Sequence, residues 1–198
     1  IMRSLDNVKY NEEKDGFIPV PPGSYPAHVT VVKTRTFEDS GKTVYNLSFK
    51  VAPEVKDQNI PKLTSDSNGG FTQSKDKDGN ALTVKGSFMK GKEFRLDKGM
   101  WLNPNPGPKD GWMNRNYVTW CESLGIKFET DKDGNKVLAE AEESDILGLP
   151  CQISVKQVDW KNDETGQSGK TMKVIGIEQW HGGYKLSREE VEADDLPF

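Results

Sequence analysis

The sequence predicts an all-β fold, a five-stranded barrel with one helix between the third and fourth strands, long loops and a flexible acidic tail. Three observations support this prediction. Apolar residues make up only 33% of the 198 residues, so the core is small for the length. The 19 glycines and 11 prolines indicate many turns. Five runs along the chain have the composition or the alternation of β-strands.

The first two strands are predicted to form a hairpin. Residues 25–37 are rich in Val and Thr, and the Pro-Pro-Gly sequence at 21–23 provides a turn before them. Residues 44–51 alternate strictly, and the short segment 38–41 is the predicted hairpin turn. One face of this second strand is therefore expected in the core: Tyr45, Leu47, Phe49 and Val51.

The third strand is predicted over residues 82–96, with bulges near Gly86 and Gly91. A helix follows, because apolar residues recur at spacings of three and four and a glycine, Gly125, stands where a helix often ends. The residues of this apolar stripe, all expected in the core, are Met113, Tyr117, Trp120 and Leu124.

The fourth and fifth strands are predicted over residues 151–160 and 170–180, joined by the polar turn 162–169. The resulting order of three strands, a helix and two strands is that of the OB fold, a small Greek-key barrel. Cys121 and Cys151 fall on apolar faces and are expected to be buried thiols.

Two segments are long and polar or Pro/Gly-rich for a compact barrel, 56–80 and 99–111, and are predicted to be loops. The sequence Asp-Lys-Asp-Gly-Asn occurs twice, at 76–80 and 131–135. Its carboxylate spacing resembles a calcium loop, but neither copy has the glycine that such a loop needs at its sixth position. Hairpin turns built on Asp-Gly are the favoured interpretation.

Catalytic motifs are absent from the sequence. There is no phosphate-binding Gly-rich loop, no nucleophile elbow and no His-Glu-x-x-His, and the two histidines and two cysteines have no zinc-ligand spacing. We therefore expect no enzyme activity, no cofactor and no metal. No signal peptide or long apolar run is present, which favours a cytoplasmic protein without a membrane partner.

Aromatic and basic residues near loops and strand ends suit the binding of a single-stranded nucleic acid, which stacks its bases on flat rings and pairs its phosphates with cations. The candidate aromatic residues are Trp160, Trp101, Trp180, Phe88 and Trp112. The candidate cations are Lys33, Arg35, Lys50, Lys90, Lys92, Arg95, Lys156, Lys161 and Lys173. In an OB fold the second and third strands and two hairpin loops would gather them at one groove.

The acidic tail is the most distinctive feature of the chain. Residues 187–198 hold five acids and one arginine, and the chain stops on Asp194, Asp195, Leu196, Pro197 and Phe198. The rest of the chain has equal numbers of acids and bases, so the whole net charge of −4 lies in this tail. A terminal aromatic beside a free carboxylate and acidic residues suits a basic, apolar-centred pocket on another protein.

This tip resembles that of bacterial and phage single-stranded DNA-binding proteins, and with the strand order it identifies the chain as similar to phage-type OB-fold members of that family. The resemblance implies an OB-fold DNA-binding domain over residues 1–186 and a protein-interaction tail over residues 187–198. It implies nonspecific binding and protection of single-stranded DNA in replication, recombination or repair, in the cytoplasm of a bacterial host cell. The tip would recruit polymerase, primase or helicase.

Two alternatives stay open. The first is a protein- or carbohydrate-binding β-barrel without nucleic-acid function, whose tryptophans form the ligand platform and whose tail only solubilises. The second is a recombination accessory that anneals strands.

Overall fold

The structure, a computed structural model, describes residues 19–65 and 70–193. These residues fall into two compact units. In the described part of the chain, the larger unit comprises residues 22–58 and 85–193, and the smaller one comprises residues 19–21 and 59–84.

The chain is mostly β-structure, as predicted, with three short to medium helices in its described part. The strands are β1 (Gly23–Thr36), β2 (Thr43–Val51), β3 (Asn59–Pro61), β4 (Leu63–Ser65), β5 (Phe71–Gln73), β6 (Thr83–Lys85), β7 (Glu93–Arg95), β8 (Met100–Leu102), β9 (Glu129–Thr130), β10 (Lys136–Val137), β11 (Pro150–Lys161) and β12 (Ser168–Glu178). The helices are α1 (Gly111–Ser123), α2 (Glu143–Ile146) and α3 (Arg188–Ala193). Two 3-10 turns cover Pro53–Asp57 and Gly86–Met89.

One antiparallel sheet organises the larger unit. Its strand order is β12-β11-β1-β2-β7, and β8 also pairs with β2. The two edge strands of this sheet, β7 and β12, approach each other just after β7 ends, where Leu96 and Val174 form a parallel bridge. The Asp97 N–H donates to the Val174 carbonyl at 2.9 Å. The sheet is therefore strongly curled, with a single bridge rather than a ladder between its ends.

The predicted first, second, fourth and fifth strands are confirmed as β1, β2, β11 and β12. The third strand region predicted over residues 82–96 is interrupted near Gly86 and Gly91, as expected, but by turns and not by bulges within one strand. That stretch consists of β6, a 3-10 turn and β7, and β8 follows it as a further partner of β2. Because β7 and β8 contact different parts of the same long strand, the chain must leave the sheet between them.

Two β-bulges decide which side chains of the long strands reach solvent. The first interrupts β1 between Val29 and Val31, and the second interrupts the β11–β12 pairing opposite Ser154 and Val155. At the second bulge β12 has one extra residue, Ile175. Val174 on one side of it is fully buried, so Ile175 turns outward and is 39% exposed.

The core of the larger unit lies on the inner face of this sheet and against α1. The predicted inward residues of β2 are all buried, and so are the two cysteines, as expected. Burial raises the pKa of the Cys121 thiol to about 12 and also raises that of Cys151. Gly125 ends α1 with a φ of 83°, as the sequence predicted, and the Ile126 N–H donates to the Cys121 carbonyl at 2.9 Å.

Of the four predicted stripe residues of α1, Tyr117 and Leu124 are buried, whereas Met113 and Trp120 are only partly buried. Tyr117 is fully buried, and its hydroxyl donates to the Ala139 carbonyl at 2.9 Å and accepts from the Ala141 N–H at 2.8 Å. Trp120, also expected in the core, is only half-buried and faces a cavity.

A second correction concerns the tail, which was expected to be flexible throughout. Residues 188–193 form α3, in which Val191 is only 4% exposed. Ser187 and Glu190 form a reciprocal capping box, with the Ser187 N–H donating to Glu190 Oε2 at 2.7 Å and the Glu190 N–H donating to Ser187 Oγ at 3.2 Å. The tip residues Asp194, Asp195, Leu196, Pro197 and Phe198 lie outside the described residues.

In the segment predicted to be a long polar loop, 56–80, the described residues 59–65 and 70–80 belong to the smaller unit and include short paired strands. β3 pairs with β6 and β4 with β5. The two Asp-Lys-Asp-Gly-Asn sequences form the predicted turns with the same geometry in both copies. The first aspartate, Asp76 or Asp131, accepts two backbone N–H groups within its own turn at 2.8–2.9 Å.

None of the helices in residues 19–65 and 70–193 is long and apolar enough to cross a membrane.

Candidate functional site

A groove runs along the outer face of the curled sheet where β1, β2, β7 and β12 come together. Its cavity volume is about 530 Å³. Three cations from three different strands line it, namely Lys33, Arg95 and Lys173. In the register, Val31 and Arg95 both stand beside Ser48, and Lys33 stands beside Asn46, so these side chains share the outer face. We call this cavity the cationic groove.

A second cavity, of about 310 Å³, adjoins the cationic groove, and three tryptophans are among its lining residues. Trp112, Asn116 and Trp120 line it from α1, where their spacing of four residues places them on one face. The other lining residues include Trp101 of β8, the apolar Leu96, Val174 and Ile175, and the charged Asp97 and Lys98. We call it the tryptophan pocket.

The two cavities are neighbours, because Leu96 and Asp97 line both of them. At the pocket, the Trp101 ring is held in place from two sides. Its indole N–H donates to the Lys98 carbonyl at 2.9 Å, and its face stacks on Phe37 at 5.7 Å between ring centroids. The Arg35 guanidinium lies 4.6 Å from the centre of the Phe37 ring, so Arg35, Phe37 and Trp101 form one layered stack.

The hairpin of β11 and β12 extends the groove. Lys156 is the direct cross-strand neighbour of Lys173, and Trp160 is that of Gly169, which places Lys156, Lys173 and Trp160 on one face of the ribbon. Gly169 leaves room for the indole, since a Cβ there would come 3.0 Å from Trp160 Nε1. One face of the Trp160 ring therefore covers the ribbon while the side chain is 43% exposed.

A third cavity, of about 210 Å³, lies farther along the same sheet face and is covered by the C-terminal segment. His28, Thr30 and Lys50 line its floor, and Tyr184 and Val191 are among the residues that line it from the C-terminal side. His28 Nε2 lies 3.0 Å from the Tyr184 carbonyl and therefore carries the proton. Burial is the main cause that lowers the pKa of His28.

Lys50 belongs to this third cavity and not to the cationic groove. It was predicted on the polar face of the second strand, and it does alternate with the core residues there, but it is only 8% exposed. Its ammonium lies 3.8 Å from the carboxylate of Glu93.

The remaining candidates divide between the site and other places. The two adjoining cavities are lined by five of them, Trp101, Trp112, Lys33, Arg95 and Lys173. Arg35 stacks on Phe37 next to Trp101, and Lys156 and Trp160 share a ribbon face with Lys173. Trp180 is elsewhere, packed edge-on against His28 at 5.5 Å. Phe88 lies in a 3-10 turn, Lys90 and Lys92 follow it, and Lys161 faces away from Trp160 on its ribbon. The tip candidates lie outside the described residues.

Of the residues that line the tryptophan pocket, sequence reasoning named Trp101 and Trp112 and missed the others, among them Asp97, Asn116, Trp120 and Ile175. The spacing of Trp112, Asn116 and Trp120 was a usable signal, because positions four apart share a helix face. Ile175 had no such signal, because Val174 and Ile177 are both buried across the bulge and a regular alternation therefore assigns Ile175 to neither face.

In the described part of the chain, no group of three or more His, Cys, Asp or Glu side chains is placed to hold a metal ion.

Comparison of this chain with protein families, with curated proteins and with solved structures gives no match.

Proposed function

We propose that this chain binds single-stranded DNA without strict sequence preference and protects it during replication, recombination or repair. The observation behind the proposal is that the cationic groove, with Lys33, Arg95 and Lys173, lies next to the tryptophan pocket. A single strand needs this combination, because its phosphates pair with cations while its bases stack on aromatic faces. A duplex would not need the rings, since its bases already stack on one another.

The proposed fold behind this activity is an OB-type barrel of five principal strands. Three features support it: the strand order β12-β11-β1-β2-β7, the parallel bridge of Leu96 with Val174, and the position of α1 after β8 and before β11. In such a barrel the second and third principal strands, here β2 and β7, and two hairpin loops form the usual ligand surface. The cationic groove lies on that face.

The resemblance to phage-type single-stranded DNA-binding proteins is part of the same proposal. It gives the acidic tip, Asp194 to Phe198, the role of recruiting polymerase, primase or helicase, and it places the protein in the cytoplasm of a bacterial host cell. In this proposal the chain is not an enzyme and uses no cofactor. Helix α3 then marks the start of the partner-binding tail, fixed to the DNA-binding domain by Val191.

The alternative is a carbohydrate- or protein-binding β-barrel, which the three tryptophans of the pocket also suit, because sugar rings pack on indole faces. The two proposals differ in what the cations do. A sugar ligand would bind independently of salt, whereas a nucleic acid releases counterions when lysine and arginine contact its phosphates.

The test is a titration of the full chain with oligo-dT at low and at high salt, in which tryptophan fluorescence is recorded after each addition. We expect saturable quenching that weakens with salt. A variant with Lys33→Ala, Arg95→Ala and Lys173→Ala should reduce the slope of log affinity against log salt by about 2, at roughly 0.7 for each lost phosphate contact.

The matched control replaces three exposed lysines that lie outside both cavities, with Lys90→Ala, Lys161→Ala and Lys170→Ala. It carries the same loss of charge, so a change in slope as large as that of the groove variant would contradict the proposed site. Absence of any binding at low salt would overturn the proposed function and favour the sugar- or protein-binding alternative.

A further inference from the structure

We propose that the bound single strand runs along β12, from the tryptophan pocket past the cationic groove to Trp160, and stacks bases at both ends of this path. This inference rests on the proposed function and adds to it the path of the strand and the length of strand that full binding needs. Strand β12 is the common element, because its residues line both cavities and one of them, Gly169, is packed against the Trp160 ring.

Three residues on the outer face of β12 mark this path. Ile175 lines the tryptophan pocket, and Lys173 lines the cationic groove. Gly169 is packed against Trp160, because a Cβ at this position would come 3.0 Å from the indole nitrogen. Even numbers of positions separate the three residues, so they share one side of the strand. One face of β12 therefore connects both cavities with a separate tryptophan.

The last part of this path lies on a ribbon that extends beyond the rest of the sheet. β1 pairs only with the first half of β11, whereas β12 pairs with β11 to its end. On the ribbon face that carries Lys173, the next cross-strand pair toward the tip is Val158 with Thr171, and Asp159 belongs to the opposite face. A phosphate backbone that follows this face therefore meets uncharged side chains between Lys173 and Trp160, at little electrostatic cost.

The distance along β12 sets the length of strand that reaches both ends of the path. Gly169 and Ile175 are six positions apart, which corresponds to about 20 Å at the usual rise of about 3.3 Å per residue. A single strand with stacked bases advances about 3.4 Å per nucleotide, so it covers this distance in about six nucleotides. A more extended strand needs fewer, and the smallest OB-type sites take roughly four. We therefore expect about four to six nucleotides between the two stacked bases.

Both ends of the path present an aromatic ring to solvent. Trp112 of the tryptophan pocket is 50% exposed, and Trp160 is 43% exposed. A base stacked on one such ring raises the affinity roughly fivefold to a hundredfold. When one strand reaches both rings, the second stack forms within the same complex. The gain from it therefore appears only if the spacer between the two bases fits the distance between the rings.

The experiment titrates the full chain at low salt with strands of one fixed length, about ten nucleotides, that are abasic except for two thymines. The phosphates are the same in every strand, so only the spacing of the two bases changes. Fluorescence anisotropy of a dye on the strand measures the affinity. The affinity should be highest, about tenfold above that for adjacent thymines, when about four to six nucleotides separate the two.

Trp160→Ala should remove this maximum, because only the tryptophan pocket then still stacks a base. Tyr184→Ala is the matched control and should keep the maximum, since Tyr184 is a 61% exposed aromatic residue that lines neither the groove nor the pocket. An affinity independent of spacing, a maximum outside this spacing, or a maximum that survives Trp160→Ala would overturn this inference. Salt-dependent binding of oligo-dT would then leave the proposed function intact, whereas failure of oligo-dT to bind at low salt would overturn both.

Discussion

Lys156 and Lys161 lie in the same strand, β11, but on opposite faces of the ribbon that it forms with β12. Lys156 shares its face with Lys173 of the cationic groove, and Lys161 does not. Both side chains are exposed, so the two residues differ mainly in the face of the ribbon to which the side chain belongs. Substituting each in turn therefore tests whether a nucleic acid binds along one face of the hairpin.

We expect Lys156→Ala to weaken the binding of oligo-dT and to reduce its salt slope by about 0.7, because one phosphate contact is lost. Lys161→Ala should leave both quantities close to those of the unmodified chain. The measurement is a fluorescence titration at several salt concentrations. Equal effects of the two substitutions would mean that the strand does not distinguish the faces of the ribbon.

His28 gives a prediction about stability. Burial lowers its pKa, and the bond to the Tyr184 carbonyl and the nearby carboxylates of Glu54 and Glu190 act in the opposite direction. The unfolded chain therefore takes up more protons than the folded chain as the pH falls below about 6.5, the ordinary pKa of histidine. The free energy of unfolding should decrease as the pH falls through and below that value.

Urea unfolding at a series of pH values between about 7.5 and 5 measures this effect. His28→Gln keeps a side chain that can donate to the Tyr184 carbonyl but cannot take up a proton, so its stability should depend less on pH in this range. The exposed His181 provides the control, His181→Gln. A pH dependence that is unchanged in the His28 variant would contradict the assignment.

The burial of Lys50 could not be predicted from the sequence around it. The alternation of β2 correctly placed it on the outer face of the sheet, opposite the core residues. It is buried nonetheless, and the third cavity that it lines is lined also by Tyr184 and Val191 of the distant C-terminal segment. A contact across so many positions leaves no local pattern in the sequence, so burial of an outward residue could not be predicted.

At the scale of elements, the long strands and α1 were predictable because each has a pattern of its own, an alternation or an apolar stripe. The short strands β7 and β8 have too few residues for a pattern, and they exist because β2 offers them hydrogen bonds. Helix α3 could have been predicted from a local motif, although the acidic composition of the tail suggested a flexible segment. The sequence Ser187-Arg188-Glu189-Glu190 is a capping box, which predicts a helix start even inside an acidic tail.

Val191 is the only buried residue of α3, and it should fix the helix to the domain. Val191→Ser removes about 1–2 kcal/mol of apolar burial, which is a large part of what a helix of this length can have. We expect faster hydrogen exchange of the amides of residues 188–193, with little change in β1 or β11. Glu189→Ser, at an exposed position of α3, is the control, and equal acceleration by both would contradict an anchor at Val191.

At the scale of the whole molecule, the distribution of charge connects the tail to the groove. The chain apart from residues 187–198 has no net charge. The cationic groove itself is lined by two acids, Glu93 and Asp97, as well as by its three cations. Helix α3 places Glu190 at the third cavity, beside Lys50 and on the sheet face that carries the groove. A phosphate that approaches this face therefore meets the field of the tail as well as that of the cations.

We expect a variant with Glu189→Gln, Glu190→Gln and Glu192→Gln to bind oligo-dT more tightly at low salt. Each exposed charge contributes roughly 0.2–0.5 kcal/mol, so the three together should increase the affinity about threefold to tenfold. The difference should largely vanish at high salt, where screening shortens the reach of the tail. The substitutions keep Val191 and the tip, so α3 can still pack.

A control with Glu129→Gln, Asp133→Asn and Glu178→Gln removes the same charge at exposed positions that line neither the cationic groove nor the tryptophan pocket. If net charge alone matters, both variants gain equally. If position matters, the tail variant gains more, because α3 stands on the face that the strand would occupy. Equal affinity of the tail variant and the unmodified chain at low salt would mean that the acids of residues 189–192 do not influence the binding of oligo-dT.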